Sequence, residues 1–293
     1  MRFPDFLIIG GMKCGSTTVY RDLMTHPRVY FPIDKEPHNL VDDSVLSPEG
    51  RAAYAELFAK AEETQLCGEA STGYTKHPDH SGVAPRAEML CGKDLRLIYA
   101  VREPVSRIAS HHHHELTRGE MPEDLGEALD ACPALLDYSR YAMQAEPWVK
   151  TFGPERLRVV PFERYTKDRT GGAAELMRFL GLDPVTDDID ESAVFNKSAA
   201  KPVTKGPWAL VASNPLYRGL VRPLLSQSFK DKVRHAVLPK SRHVRRPPTA
   251  RVAERIYHEL EADLDQLRRL MGSDAPVWDA EAIIKKHRER ESA

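Results

Sequence analysis

The chain has 293 residues, of which 41% are hydrophobic and 29% charged. That is enough apolar material to close a sizeable core, so global disorder is excluded, and at roughly 150 residues per domain the length fits one large α/β domain or two small ones. The 42 Lys and Arg against 43 Asp and Glu leave a formal charge of -1, so the molecule as a whole is not a polybasic nucleic-acid binder and no nucleic-acid partner is expected.

In chain order, Phe6 to Ile9 is a short apolar run closed by Gly10-Gly11, which reads as a buried parallel strand entering a glycine loop. Thr18 to Met24 then has helical spacing and stops near His26-Pro27. Further strands are predicted over Gln65–Glu69, Leu95–Val101 and Arg156–Phe162. Helices are predicted over Arg51–Glu63, Pro104–Arg118, Tyr141–Phe152 and Gly172–Leu180, the last ending at Gly181. This alternation predicts an α/β fold: a P-loop-like nucleotide-binding domain with a central, mainly parallel sheet flanked by helices. From Asp183 the texture changes to a long loop, and residues 208–250 are irregular and basic. Between Arg218 and Arg251 there are ten Lys or Arg against one acid, Asp231. Val252 to Met271 is an amphipathic helix, expected to pack back on the sheet with Trp278 covering its end. The expected organisation is a core over residues 1–207 and, within a single domain, a basic extension with its helix over 208–293.

Cys14, Cys67, Cys91 and Cys132 are scattered without CxxC spacing, so a disulfide framework and a zinc site lack support and no metal is expected. No stretch approaches the ~18–20 apolar residues of a membrane span, and the run at Phe6 is too short for a signal sequence. A reduced, soluble, cytoplasmic protein is the expectation.

The element with most chemical content is Gly10-Gly11-Met12-Lys13-Cys14-Gly15-Ser16-Thr17-Thr18. A strand feeding a loop that opens a helix aims unpartnered backbone N–H groups at one spot, an anion site to which Lys13 adds charge and the three hydroxyls add donors. A Walker A loop would carry lysine where Ser16 stands. Here the lysine lies two residues before the second glycine, which suits a shorter anhydride without magnesium. The alternative is a helix-capping glycine turn with a solvated lysine. Lys13 to Thr18 resembles the 5′-phosphosulfate loop of sulfotransferases that use 3′-phosphoadenosine 5′-phosphosulfate (PAPS). In that family the loop lysine and the amides after it hold the 5′-phosphate and sulfuryl group, which implies roles for Lys13, Cys14, Gly15, Ser16, Thr17 and Thr18.

A second match lies about ninety residues on. The strand ending at Val101 runs into Arg102-Glu103-Pro104, with Ser110 eight residues beyond Arg102. Two helical turns are about 7.2 residues, so Ser110 falls near the face of Glu103, where it can share a ligand with Arg102. The segment is similar to the family's 3′-phosphate motif, which implies that Arg102 and Ser110 read the 3′-phosphate. The adjacent His111 to His114 point in four directions and cannot all bind one metal. They read as solvated or partly buried, with His111 or His112 at most bordering the cleft.

Lys35-Glu36-Pro37-His38-Asn39-Leu40 is similar to the segment that supplies the catalytic glutamate and an assisting histidine in the carbohydrate-modifying branch. The resemblance makes Glu36 the general base and His38 its partner, with His38 as the competing base. Asn39-Leu40 replaces an aromatic pair, and Ala70 in Gly68–Tyr74 replaces a lysine, so a heparan-type acceptor loses support. Phe195–Ser198 and Lys205-Gly206 resemble the late loop over the nucleotide. The implied reaction is sulfuryl transfer from PAPS, leaving 3′,5′-ADP, to a hydroxyl of a small molecule, lipid or sugar. The rivals are a kinase-like phosphotransferase with a degenerate loop and a non-catalytic nucleotide- or RNA-binding protein. Residues 218–251 are a solvated face or flap, or else a contact to a membrane surface or an anionic acceptor. Nothing in the sequence sets an oligomeric state.

Overall fold

The computed structural model describes residues 1–32, 35–117, 121–193 and 247–292. Five parallel strands form the sheet: β1 (Phe6–Ile8), β2 (Val29–Tyr30), β3 (Leu66–Ala70), β4 (Arg96–Val101) and β5 (Leu157–Pro161), in spatial order β2-β3-β1-β4-β5. β1 is central, with Ile8 opposite Ala70 on one side and Ile98 on the other. The order reverses there, so the crevice for a ligand opens beyond the carboxyl ends of β1, β3 and β4.

Along β1 the side chains alternate between two cores. Leu7 and Ile9 join one apolar cluster with Leu97, Tyr99 and Trp148, whereas Phe6 and Ile8 join another with Val19, Ile98 and Leu176. Helices cover both faces: α1 (Ser16–Leu23), α2 (Pro48–Glu56), α3 (Val83–Cys91), α4 (Pro104–Leu116), α5 (Leu125–Ala131), α6 (Ala134–Asp137), α7 (Tyr141–Phe152), α8 (Phe162–Lys167) and α9 (Arg169–Phe179), then α10 (Ala250–Leu270) and α11 (Ala280–Glu291). α10 packs on α7 and α4. Its Asp263 carboxylate accepts the Ala142 and Met143 amides at 3.0 and 2.9 Å, supplying acceptors for donors that the first turn of α7 leaves open. The Trp278 ring lies 5.8 Å from Tyr141, and its Nε1 donates to Glu163 at 3.0 Å.

Several elements depart from the sequence reading. α2 starts three residues early because Ser47 caps it, accepting from the Gly50 amide at 2.9 Å with Pro48 at the first position, and it ends at Glu56. β2, α3, α5, α6 and α11 carry no periodicity strong enough to have been read. α9 begins at Arg169, three residues before the expected start, with Asp168 capping the Gly171 amide at 2.8 Å. The late-loop residues Phe195–Ser198 and Lys205-Gly206, and the basic run up to Arg246, lie outside the described residues.

Candidate active site

Three loops meet at the carboxyl edge of the sheet. The first follows β1 and is stitched to β4: Ile9 and Gly11 amides donate to the Ile98 and Ala100 carbonyls, both at 2.9 Å. A Cβ on Gly10 would sit 2.8 Å from the Ala100 backbone, so only glycine permits this approach. Gly15 turns the chain into α1 with φ 81°. Lys13 also has a left-handed backbone, φ 70°, which is uncommon for a residue with a side chain and is found where a site is held under local strain. Ser16 and Thr18 are buried at the start of α1, while Lys13, Gly15 and Thr17 are partly exposed.

The structure turns the Cys14 side chain away from this face. Its sulfur lies under the loop, 3.8 Å from the Tyr141 hydroxyl, and burial pushes the thiol up to about 11. The Cys14 amide is engaged with the Gly11 carbonyl at 3.1 Å.

The second loop follows β4. Arg102 Nη1 donates to the Lys13 carbonyl at 3.2 Å, which places the guanidinium beside the glycine loop. Its plane lies over Phe162, 5.0 Å from the ring centroid, and its Nε is buried without a hydrogen-bond partner. The Tyr141 hydroxyl donates to the Arg102 carbonyl at 2.5 Å and fixes the backbone there. Glu103 caps α4, taking the Val105 and Ser106 amides at 2.7 Å each. Ser110 lies two turns along the same helix and is only 2% exposed.

Of the four histidines read as solvated or partly buried, His111, His112 and His113 are buried and His114 is partly exposed. His111 stacks on Tyr138 with ring centroids 5.6 Å apart, and His112 Nε2 meets the Pro122 carbonyl at 2.7 Å. Burial, then the Arg107 charge, lowers His111 to about 2, so it is neutral.

The third group joins the segment after β2 to the end of β3. The Glu36 amide donates to the Ala70 carbonyl at 3.0 Å, and the His38 amide to Ser71 Oγ at 3.3 Å. Glu36 and His38 both have positive φ, 64° and 57°. Glu36 Oε1 accepts from Lys35 Nζ at 2.9 Å and from Thr72 Oγ1 at 3.2 Å, and Oε2 lies 3.8 Å from His38 Nε2. Burial would raise the Glu36 carboxyl, but Lys35, His38 and Thr72 together hold it below its ordinary value. Burial lowers His38 against the opposing pull of Glu36. At neutral pH the pair is therefore a carboxylate beside a neutral imidazole. Gly73 makes room for that ring, since a Cβ there would meet His38 Nδ1 at 2.6 Å.

Lys35 was not singled out from sequence. Its ammonium also reaches Ser16 Oγ at 3.5 Å, so it ties the carboxylate of Glu36 to the glycine loop. The signal available was its place at the head of the Lys35–Leu40 segment that resembles the family's.

The donors fit an anionic ligand: a helix N-terminus, Lys13, Ser16, Thr17 and an arginine whose Nε lacks a partner, all at one sheet edge. Sheet order, glycine loop and anion-facing donors define a P-loop-like nucleotide-binding α/β protein. Residues 3–222 match the family model for the sulfotransferase domain, and the chain belongs to that family. It is 29% identical over 213 residues to heparan sulfate glucosamine 3-O-sulfotransferase 3A1 of Mus musculus, covering 70% of this chain and 52% of the relative. To the 3B1 enzyme of Homo sapiens it is 28% identical over 213 residues, with the same coverage of 70% and 52%. The chain thus spans about half the length of these curated relatives. The crystal structure of a sulfotransferase from Alicyclobacillus acidocaldarius superposes with a TM-score of 0.62 at 20% identity, covering 94% of this chain and 98% of that one, and so shares the fold.

Proposed function

We propose that the protein transfers a sulfuryl group from PAPS to an acceptor hydroxyl. The observation that carries this reading is the placement of Arg102, bonded to the Lys13 carbonyl at 3.2 Å, between the glycine loop and α4. Lys13 and the first-turn amides of α1 hold the 5′ end, while Arg102 and Ser110 take the 3′-phosphate. PAPS supplies the sulfuryl group and leaves as 3′,5′-ADP.

Glu36 takes the proton of the acceptor hydroxyl, with His38 beside it to orient the acceptor. Lys13 and the loop amides neutralise negative charge developing on the departing oxygen. Lys35 holds Glu36 ionised and keeps the carboxylate in register with the loop. None of these roles requires a metal ion.

The acceptor is a hydroxyl on a sugar, lipid or small molecule, and the sugar O-sulfotransferases among the relatives support the sugar class. The cytoplasm is the proposed location. The basic run 218–251 is proposed as a contact to a membrane surface or to an anionic acceptor. ³⁵S-labelled PAPS incubated with acceptor extracts tests the reaction: label should move to an acceptor, and Lys13→Ala should lower the rate by about 10²–10³. Normal turnover by Lys13→Ala would overturn the role of the loop.

A further inference from the structure

A guanidinium taken out of water is costly unless a carboxylate and hydrogen bonds compensate it. Arg107, on α4, is 0% exposed. Nη2 donates to the Leu135 carbonyl at 2.5 Å and meets His111 Nδ1 at 3.4 Å, while Nε and Nη1 are buried with no hydrogen-bond partner. No ion pair involves it among the described residues.

The acids on neighbouring elements are engaged elsewhere. Glu103 caps α4 and accepts from the Tyr257 hydroxyl at 3.0 Å. Asp263 serves the α7 amides, Asp79 takes the Tyr138 hydroxyl, and Glu115 faces His111 and His114. His111 is neutral and brings no negative charge. The Tyr99 hydroxyl is likewise buried without a partner, and its ring lies edge-on to Tyr141 at 6.2 Å. Among the described residues, therefore, no carboxylate is in contact with this buried positive charge, and Glu115 lies beyond the His111 ring.

Arg107 shares its helix with Ser110 of the second candidate subsite. Glu103, Arg107 and Ser110 stand at i, i+4 and i+7 on one face of α4. The Arg107 charge also acts on the Cys14 thiol under the glycine loop, pulling it down against the burial that raises it.

We propose that Arg107 is a specificity-determining charge, buried behind the Arg102–Ser110 pair and balanced by the ligand, so that it favours adenosine bearing two phosphates over adenosine bearing one. The proposal rests on the PAPS reading of the site. Because the charge is buried, salt screens it little. It also explains why a costly group is retained: an apolar residue of similar volume in place of an uncompensated buried charge is often neutral or stabilising.

The test is calorimetric titration of the full chain with 3′,5′-ADP and 5′-AMP. Wild type is compared with Arg107→Met and Arg107→Lys at low and high salt. Arg107→Met should lower the ratio of the two affinities at least tenfold, at both salt concentrations. Arg107→Lys should stay within threefold of wild type, and the ligand-free Arg107→Met should melt at or above the wild-type temperature. If Arg107→Met does not fold, Arg107→Gln, which keeps a donor for Leu135, gives the same ratio. A ratio unchanged in the neutral variant, with both nucleotides weakened equally, overturns the proposal and leaves Arg107 a structural residue. A wild type with no preference for 3′,5′-ADP overturns the PAPS reading itself, and is thereby distinguished from failure of Arg107 alone.

Discussion

Gly15 is the position where one methyl group should separate loop geometry from backbone preference. It opens α1 at φ 81° and ψ 14°, and a Cβ there would lie 2.2 Å from Phe162 Cδ2 and 2.4 Å from Cε2. Gly15→Ala therefore carries two costs. A left-handed backbone costs a residue with a side chain roughly 1–2 kcal/mol, and forcing the ring aside costs roughly 1–3 kcal/mol more. Gly272 is the matched control, with φ 63° and nothing within 4 Å of its Cβ position, so Gly272→Ala carries only the first cost. Denaturant unfolding should give a loss of about 2–5 kcal/mol for Gly15→Ala and about 1–2 kcal/mol for Gly272→Ala. The same ring lies under the Arg102 guanidinium. Displacing it withdraws a cation–π contact of about 0.5–2 kcal/mol, which is roughly a two- to thirty-fold loss of affinity for 3′,5′-ADP. Gly272→Ala should leave that affinity unchanged. Equal stability losses in the two variants would refute the idea that Phe162 braces the loop.

Two further outcomes follow from charge. On the proposed mechanism Glu36 is the base when ionised, and its carboxyl is held below its ordinary value of 4.5, so activity should fall only as pH drops below about that value. A limb of kcat/KM below pH 6.5 but above that of Glu36, vanishing in His38→Asn, would assign the base to His38, whose ordinary value of 6.5 is lowered by burial. Asp22 and Arg169 form a buried ion pair, with the Tyr165 hydroxyl donating to Asp22 at 2.9 Å. Asp22→Ala removes the carboxylate that pairs with the buried Arg169 guanidinium and should cost about 3–5 kcal/mol in denaturant unfolding, much of it recovered in the double variant with Arg169→Met. A loss under 1 kcal/mol for Asp22→Ala would contradict a buried pair.

The main strands were legible because β1 and β4 after Arg96 are runs of apolar and β-branched residues suited to a buried parallel sheet, and the edge strand β5 keeps Leu157, Val159 and Val160 around an exposed Arg158. β2 was not, since Val29 and Tyr30 are two residues and their pairing with Leu66 and Cys67 is a long-range fact. α2 was misplaced because apolar spacing at Tyr54 and Phe58 outweighed the Ser47-Pro48 cap signal. Both candidate anion loops could be picked out from residue type and spacing. The positive φ at Lys13, Glu36 and His38 was not, because side-chain-bearing residues in that region leave no mark in sequence. Lys35 reaching Ser16, and Arg107 standing without a carboxylate among the described residues, depend on which elements pack around them. A four-histidine run reads as polar until the fold closes over it.

The central claim is that one ligand is gripped at two phosphates, from the loop after β1 and the loop after β4. Titration of wild type and Arg102→Met with 3′,5′-ADP and 5′-AMP tests it most directly. Charge-assisted hydrogen bonds contribute roughly 1.5–3 kcal/mol, so wild type should prefer 3′,5′-ADP by at least about ten- to a hundred-fold and Arg102→Met should lower that preference by about the same factor while still binding 5′-AMP. Equal affinity of the wild-type protein for the two nucleotides would contradict the account.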